Sequence, residues 1–493
     1  MRHFFFLSIL LFIWSLTFSQ GTADNGFDCF TVIAGKDATQ SDAVVLAHNE
    51  DDHGENLVNW FKIPRKKHSE DETITLKNGA EIPQAKTTWG YLWLEMPGQK
   101  FADSYMNEHG VTIASNACSS REDNPDLTEG GIGYWLRKIM AERAKTAKEA
   151  VMIGGELIEK YGYASSGRTY SIADPDEAWV MSVVNGKQWV AARVPDDEVM
   201  VIPNYYTLTE VDLEDESRFM GSPDLIEYAI ERNWYNPEEG PFNFREVYSN
   251  PRSLASIGNI ARKWKGIELI SDQEYALDET FPFTLKPGKK LKLTDFMRVL
   301  EDHYEGTKFD GSKNYQYGDP HSSGPHSICA ATNQYGFVTE LRSDMPVEIG
   351  AVMWLAPRRP CTQPFIPWHL GMDEIPADFA LTDPETALKD HFDPPENILE
   401  KAEGHAFVDY VQFAEEVDEE YKELIPKVET FKSGIENELI EQTRELEKQA
   451  LDIYSKDKEK ARQMLMDFTV KYLEQTNQEM DQILLQHEGE SVE

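Results

Sequence analysis

The stretch 169–203 constrains the fold more than any other part of the chain. Apolar residues alternate with small or polar ones over 169–173, 178–184, 188–194 and 199–202, and the first runs are separated by Asp174-Pro175-Asp176 and Asn185-Gly186. Asn-Gly between alternating apolar runs supplies the positive φ angles that a two-residue hairpin demands. The segment predicts an antiparallel meander, which commits the chain to a core built on hairpin-connected sheet.

A second hairpin is predicted at the amino-terminal side, where β-rich runs at 29–35 and 43–49 flank a polar turn at 36–42. It sets Cys29 at the open end, back toward His48-Asn49-Glu50-Asp51. Residues 89–95 and 111–115 are further strand candidates, with Asn107-Glu108-His109-Gly110 as the turn before the second. Helical spacing takes over at 133–161, broken near Thr146, where Thr146-Ala147-Lys148-Glu149 is a capping box and Gly162 ends the stretch. Shorter helices are predicted from Ser222-Pro223 to about 233 and from Thr294 to about 305. Strands are predicted at 327–331, 337–342 and 351–355, and the long Gly/Ser/Tyr loop 306–326 ahead of them has the size of a functional lid.

From about residue 376 a Pro- and acid-rich linker leads into long helices. Ile435, Leu439, Leu446, Ala450 and Ile453 share one face, and Ala461, Leu465, Phe468, Tyr472 and Leu473 continue it after Ser455-Lys456-Asp457. The heptads are too few and too imperfect for a free coiled coil, so these helices are expected to pack on their own domain.

Composition narrows the function. With 87 acidic against 48 basic residues and a formal charge of -39, the chain lacks the cations that neutralise phosphate, which argues against nucleic acid or an anionic membrane as partner. Met1-Arg2-His3 followed by the apolar run 4–18 reads as a signal peptide; the run is too short to span a hydrocarbon core of roughly 30 Å. A cut near 19–21 leaves a short propeptide, 21–28, on an exported chain, periplasmic or secreted. None of the four cysteines forms a C-x-x-C pair, so no metal or other cofactor is expected, and Cys118, Cys329 and Cys361 could supply one disulfide with one thiol left over. His321 and His326 lie in the lid without an H-E-x-x-H helix, and there is no G-x-S-x-G elbow. The acidic run 48–53 reads best as a solvated strand end.

The feature with chemical content is Cys29. If the chain is cut before it, one residue carries both a thiol and a free α-amine, whose ordinary pKa of about 7.7 to 8.0 lets it take the thiol proton near neutrality.

Five blocks, in order and spacing, resemble the C69 dipeptidase family: Cys29-x-Thr31-x-Ile33-x-Gly35-Lys36, Ala47-x-Asn49-Glu50-Asp51, Asn107-Glu108-His109-Gly110-Val111 with Ser115-Asn116, Ala173-Asp174-Pro175-x-Glu177-Ala178-Trp179, and Val194-Pro195-Asp196-Asp197 to Ile202-Pro203-Asn204. The resemblance implies an α+β fold, the αββα four-layer sandwich of the N-terminal nucleophile hydrolases, over 29–375, with 376–493 as acidic linker and helical extension. It also implies thiol-dependent peptide hydrolysis with broad dipeptide specificity. On that reading Cys29 attacks the amide carbon, Asp51 holds and orients the ammonium, and Asn116 and Asn204 are candidate oxyanion donors.

His48 stands where the family usually has arginine. A carboxylate clamp is then expected from His48, charged only in part near neutrality, or from Arg168, and the KM for dipeptides is expected to rise above about pH 6.5. The expected partner is a small peptide, and a homo-oligomer is compatible with the sequence. Two other readings stay open: an amidase or acylase acting on non-peptide amides with the same catalytic parts, and a non-catalytic surface protein that binds a partner through its acidic helices.

Overall fold

The computed structural model describes residues 28–52, 56–77, 79–271, 273–310, 320–322 and 325–491. The leader, the propeptide ahead of Asp28 and the middle of the loop 306–326 lie outside the described residues.

Two antiparallel sheets form the centre. The six-stranded sheet runs in the order Val199–Ile202, Phe30–Ala34, Val44–Asp51, Asn333–Leu341, Ala351–Pro357, Ile366–His369. The eight-stranded sheet runs Phe219–Gly221, Trp189–Arg193, Ala178–Gly186, Tyr163–Ala173, Thr112–Ala117, Ser104–Asn107, Tyr91–Glu95, Asn59–Ile63. Helices Ile257–Ile270 and Leu293–Leu300 cover one sheet, Leu136–Arg143 and Ala147–Tyr161 the other, and the sheets meet face to face. This is the αββα arrangement with helices at its carboxyl-terminal end, as the resemblance implied.

The first three runs of the expected meander pair in succession in the eight-stranded sheet, but the fourth, Val199–Ile202, crosses to the six-stranded sheet and pairs with Phe30–Ala34, because alternation marks a strand and not its partner. Gly186 sits at φ 100°, and the flanking strands pair Val183 with Trp189 and Val180 with Ala192. Gly110 sits at φ 83° in the turn before Thr112–Ala117, where the Asn107 side chain accepts from His109 N at 2.9 Å and Val111 N at 3.1 Å. The Ala147–Tyr161 helix is capped by Thr146 Oγ1, which accepts from Glu149 N at 3.1 Å. The amino-terminal hairpin pairs Thr31 with His48 and Phe30 with Asn49, which brings Cys29 beside the end of the Val44–Asp51 strand.

Three further expectations fail. Residues 327–331 are loop, not strand: the Asn333 side chain accepts from Ala330 N at 2.8 Å and holds a turn there, so the strand starts at Asn333. The helix predicted to reach 305 ends at Leu300, because Asp302 accepts from Tyr304 N at 2.8 Å in a local turn that competes with the helix. The helix Ile257–Ile270 escaped notice because Asn259, Arg262, Lys263 and Lys265 are all buried and interrupt its apolar stripe.

The carboxyl-terminal helices Ala406–Glu419, Tyr421–Tyr454 and Lys458–Ser491 pack on the Ile366–His369 edge and on one another. Ile435, Leu439, Ala450, Ala461, Leu465, Tyr472 and Leu473 are buried, in keeping with the expected apolar face. Charge closes the same contact: Arg342 donates to Glu447 Oε2 at 2.7 Å and Arg444 to Glu340 at 2.6 Å, with Arg342, Glu340 and Glu447 all buried. Burial pushes the Glu447 carboxyl up, but Arg342 outweighs it and leaves the group well below the ordinary range. A depressed folded pKa contributes stability above the ordinary Glu value of about 4.3 and loses it as pH falls below that. Glu447→Gln is expected to cost about 3 to 5 kcal/mol in urea unfolding at pH 7, since Arg342 is left buried beside a neutral group, and the deficit should shrink toward pH 3.

Candidate active site

Cys29 precedes the Phe30–Ala34 strand and is 1% exposed. Its thiol donates to Glu50 Oε1 at 3.4 Å and lies 3.5 Å from the Asp51 carbonyl. Burial raises its pKa well above the ordinary value, and the acidic neighbourhood adds to the rise, so the thiol is held protonated. With Asp28 still attached, the nitrogen of Cys29 is an amide that cannot act as a base.

Strand alternation places Thr31, His48 and Glu50 on the same side as the thiol, facing the other sheet. Across the gap Asn116 donates from Nδ2 to the carbonyls of Cys29 at 2.9 Å and Ile202 at 3.1 Å. Its Oδ1 therefore faces Thr31, whose hydroxyl donates to it at 2.7 Å. That hydroxyl must accept from His48 Nδ1, also 2.7 Å away, which leaves Nε2 of a neutral ring as an acceptor toward Glu50 Oε2 at 3.1 Å. Glu50 then carries the proton of that contact. The electrostatics agree: burial, with Arg137 and Arg168 adding repulsion, takes His48 down to about 3, while burial raises Glu50 far above the ordinary carboxylate range. An ordered line of bonds thus runs from Asn116 through Thr31, His48 and Glu50 to the thiol.

This arrangement corrects two expectations. The run at 48–52 is not solvated: His48, Asn49, Glu50, Asp51 and Asp52 are all buried. His48 is not a partly charged clamp either, because it is sealed, neutral and bonded at both nitrogens. Arg168 is buried against the other sheet, donates to Ser115 Oγ at 3.2 Å, and stacks its guanidinium 4.4 Å above the Phe101 ring. Its charge is felt at Cys29 and Glu50, yet it donates no hydrogen bond to either among the described residues.

On the other side of the strand end lies a second group, centred on Arg262, that the sequence did not bring together. The Asp28 carboxylate is gripped by Arg262 at 2.6 Å and by His326 Nδ1. Burial opposes its charge, but Arg262 and His326 win and lower its pKa. Arg262 also donates to Asn204 Oδ1 at 3.0 Å and Asn259 Oδ1 at 2.8 Å. Asn204 Nδ2 has no hydrogen-bond partner among the described residues, and neither carboxylate oxygen of Asp51 has one. Burial raises the Asp51 carboxyl, and the neighbouring charge of Asp28 raises it further. Of the proposed catalytic set, Cys29, Asp51, Asn116 and Asn204 therefore converge on one strand end, while Thr31, Glu50 and His326 were noted in the sequence without a role at the site and Arg262 was missed. Their signal is only their position in the hairpin, for Thr31 and Glu50, or a buried cation in an unread helix, for Arg262.

Residues 28–420 match the family described as Peptidase family C69. The chain is 25% identical over 356 residues to a "Probable dipeptidase" of Salmonella dublin, spanning 70% of this chain and 81% of that protein. It is 24% identical over 390 residues to a "Probable dipeptidase" of Latilactobacillus sakei, spanning 76% and 81%, and 24% identical over 363 residues to a "Probable dipeptidase B" of Streptococcus pyogenes serotype M1, spanning 69% and 72%. Among solved structures, a mutant of the conjugated bile acid hydrolase from Clostridium perfringens is similar over 67% of this chain and 89% of that one, at 10% identity and a TM-score of 0.28.

Proposed function

This chain belongs to peptidase family C69, and we propose on that premise that it is an exported thiol dipeptidase whose mature form begins at Cys29. The observation that carries the reading is the Asp51 carboxylate, buried at the same strand end as Cys29 and without a hydrogen-bond partner among the described residues. A buried carboxylate with no donor is costly, and an ammonium created beside it by cleavage of the Asp28–Cys29 bond would satisfy it.

The chemistry follows from that amine. In maturation the Cys29 thiol attacks the Asp28 carbonyl, its proton passing through water to the departing Cys29 nitrogen, and the amide gives way to a thioester that water hydrolyses. In the mature enzyme the α-amine takes the thiol proton as sulfur attacks the substrate carbonyl. The same proton then goes to the departing nitrogen, and water releases the acyl group from the thioester. Asn204 Nδ2 offers an uncommitted donor for the oxyanion; Asn116 would have to release a carbonyl to do so, and its bond to Cys29 O serves better to hold the nucleophile. Because both reactions use one sulfur, the substrate residue before the cut takes the position Asp28 leaves, beside Arg262 and His326.

Purified mature enzyme is expected to cleave free dipeptides with a kcat/KM at least about 100-fold above that for tetrapeptides, since a site built to pair both termini of a short substrate leaves polar groups unpaired with a longer one. KM should stay flat between pH 6 and 8, because His48 is already neutral throughout. Equal rates on acylated amides lacking a carboxylate would favour the acylase reading instead. A pH-dependent KM with a midpoint near 6.5 would return His48 to the binding site.

A further inference from the structure

At the end of the six-stranded sheet where the Val44–Asp51 strand finishes, four loops converge. His303 follows the Leu293–Leu300 helix, His321 lies in the short helical turn Pro320–Ser322, Cys329 precedes the Asn333–Leu341 strand, and Cys361 follows Ala351–Pro357. One ligand atom from each of the four lies within 4.8 Å of all the others. We propose that these residues form a structural zinc site of the two-histidine, two-cysteine class.

The spacing is that of a tetrahedral ion. Bonds of about 2.0 to 2.1 Å to nitrogen and about 2.3 Å to sulfur put two nitrogens about 3.3 Å apart and a nitrogen and a sulfur about 3.6 Å apart. The two Nε2 atoms are 3.1 Å apart, and Cys361 Sγ lies 3.5 Å and Cys329 Sγ 4.0 Å from His321 Nε2. Carboxylates stand behind both rings: His303 Nδ1 bonds Glu305 Oε1 at 3.0 Å, and His321 Nδ1 lies 3.4 Å from Asp418 Oδ1, an ion-pair distance without hydrogen-bond geometry. A ring that keeps its Nδ1 proton for a carboxylate turns the Nε2 lone pair inward, as metal-bound histidines do. Two such lone pairs aimed at each other repel, and a cation between them converts the repulsion into two bonds.

The ligands come from separate segments, so no C-x-x-C or H-x-H spacing marks them in the sequence. Set in place, the ion would tie the Pro320–Ser322 turn to the sheet and bring it against Asp418 of the Ala406–Glu419 helix. His326, which grips Asp28, lies between two of the ligands in the chain, so the ion would hold the loop beside the nucleophile without touching substrate.

The test is metal analysis of the full chain, purified without a histidine tag. One zinc per chain is expected by mass spectrometry, falling at least tenfold in Cys361→Ser and in His303→Ala and unchanged in Cys118→Ser. Should the ligand variants fail to fold, cobalt exchanged into the parent protein reads the same site: intense visible bands of tetrahedral cobalt with a sulfur-to-metal charge-transfer band are expected. Parent protein with under a tenth of an equivalent of zinc after dialysis against it, a Cys329–Cys361 disulfide in the purified chain, zinc retained by both ligand variants, or octahedral cobalt would each overturn the site. None of these outcomes depends on dipeptide hydrolysis, so failure here and failure of the dipeptidase reading are distinguishable.

Discussion

Cys29→Ala is expected to abolish dipeptide hydrolysis, by at least about 1,000-fold in kcat/KM, and to leave Asp28 attached to the purified chain. Both effects come from one atom, because the sulfur that attacks substrate is the sulfur that opens the Asp28 carbonyl. Cys29→Ser separates them: a hydroxyl in the same position can still attack the adjacent carbonyl slowly, so partial maturation with little turnover is the expected pattern. Intact mass and a dipeptide assay on the same samples read both. An active enzyme whose chain begins ahead of Cys29 would contradict the proposal, since its nucleophile would have no α-amine of its own.

Asp51→Asn should lower kcat by at least about 100-fold, while KM changes little, because the lost group steadies the charged amine and not the substrate. Its effect on stability should run the other way. In the unprocessed Cys29→Ala chain the folded pKa of Asp51 is raised by burial and by Asp28, so ionisation works against the fold above the ordinary Asp value of about 3.9, increasingly up to its raised pKa near 7. Introducing Asp51→Asn into that chain is therefore expected to raise its melting temperature, more at pH 8 than at pH 5. A variant that melts lower at both pH values would mark Asp51 as a turn former whose loss loosens the strand end.

The parts of this molecule that could be read from sequence are those whose side chains alternate against a defined turn. The 29–49 hairpin and the alternating runs of 169–202 are of that kind, and Cys29, Asp51 and Asn204 come to one place because the last of those runs, Val199–Ile202, joins the hairpin along Phe30–Ala34. Short strands such as Ser104–Asn107 and Ile366–His369 were not readable, because they are buried on both faces and show no alternation. Charge misled more than apolarity did. Glu50 and His48 look like a wetted acidic edge when read as a run, yet each satisfies the other inside the core. Arg262 broke the pattern of its own helix for the same reason, and with it went the grip on Asp28. His303, His321, Cys329 and Cys361 meet only because four loops do, and a meeting of loops leaves no period in a sequence.

The ion pairs that join the Tyr421–Tyr454 helix to the sheet decide whether the end of the chain is an appendage. The family match ends at residue 420, but Arg342 and Glu340 of the matched region find their counter-charges at Glu447 and Arg444 beyond it. A chain cut near residue 420 would lose both partners at once and open the sheet edge they seal to water, so the helices and the catalytic layers form one cooperative body, and removing the first would loosen the second.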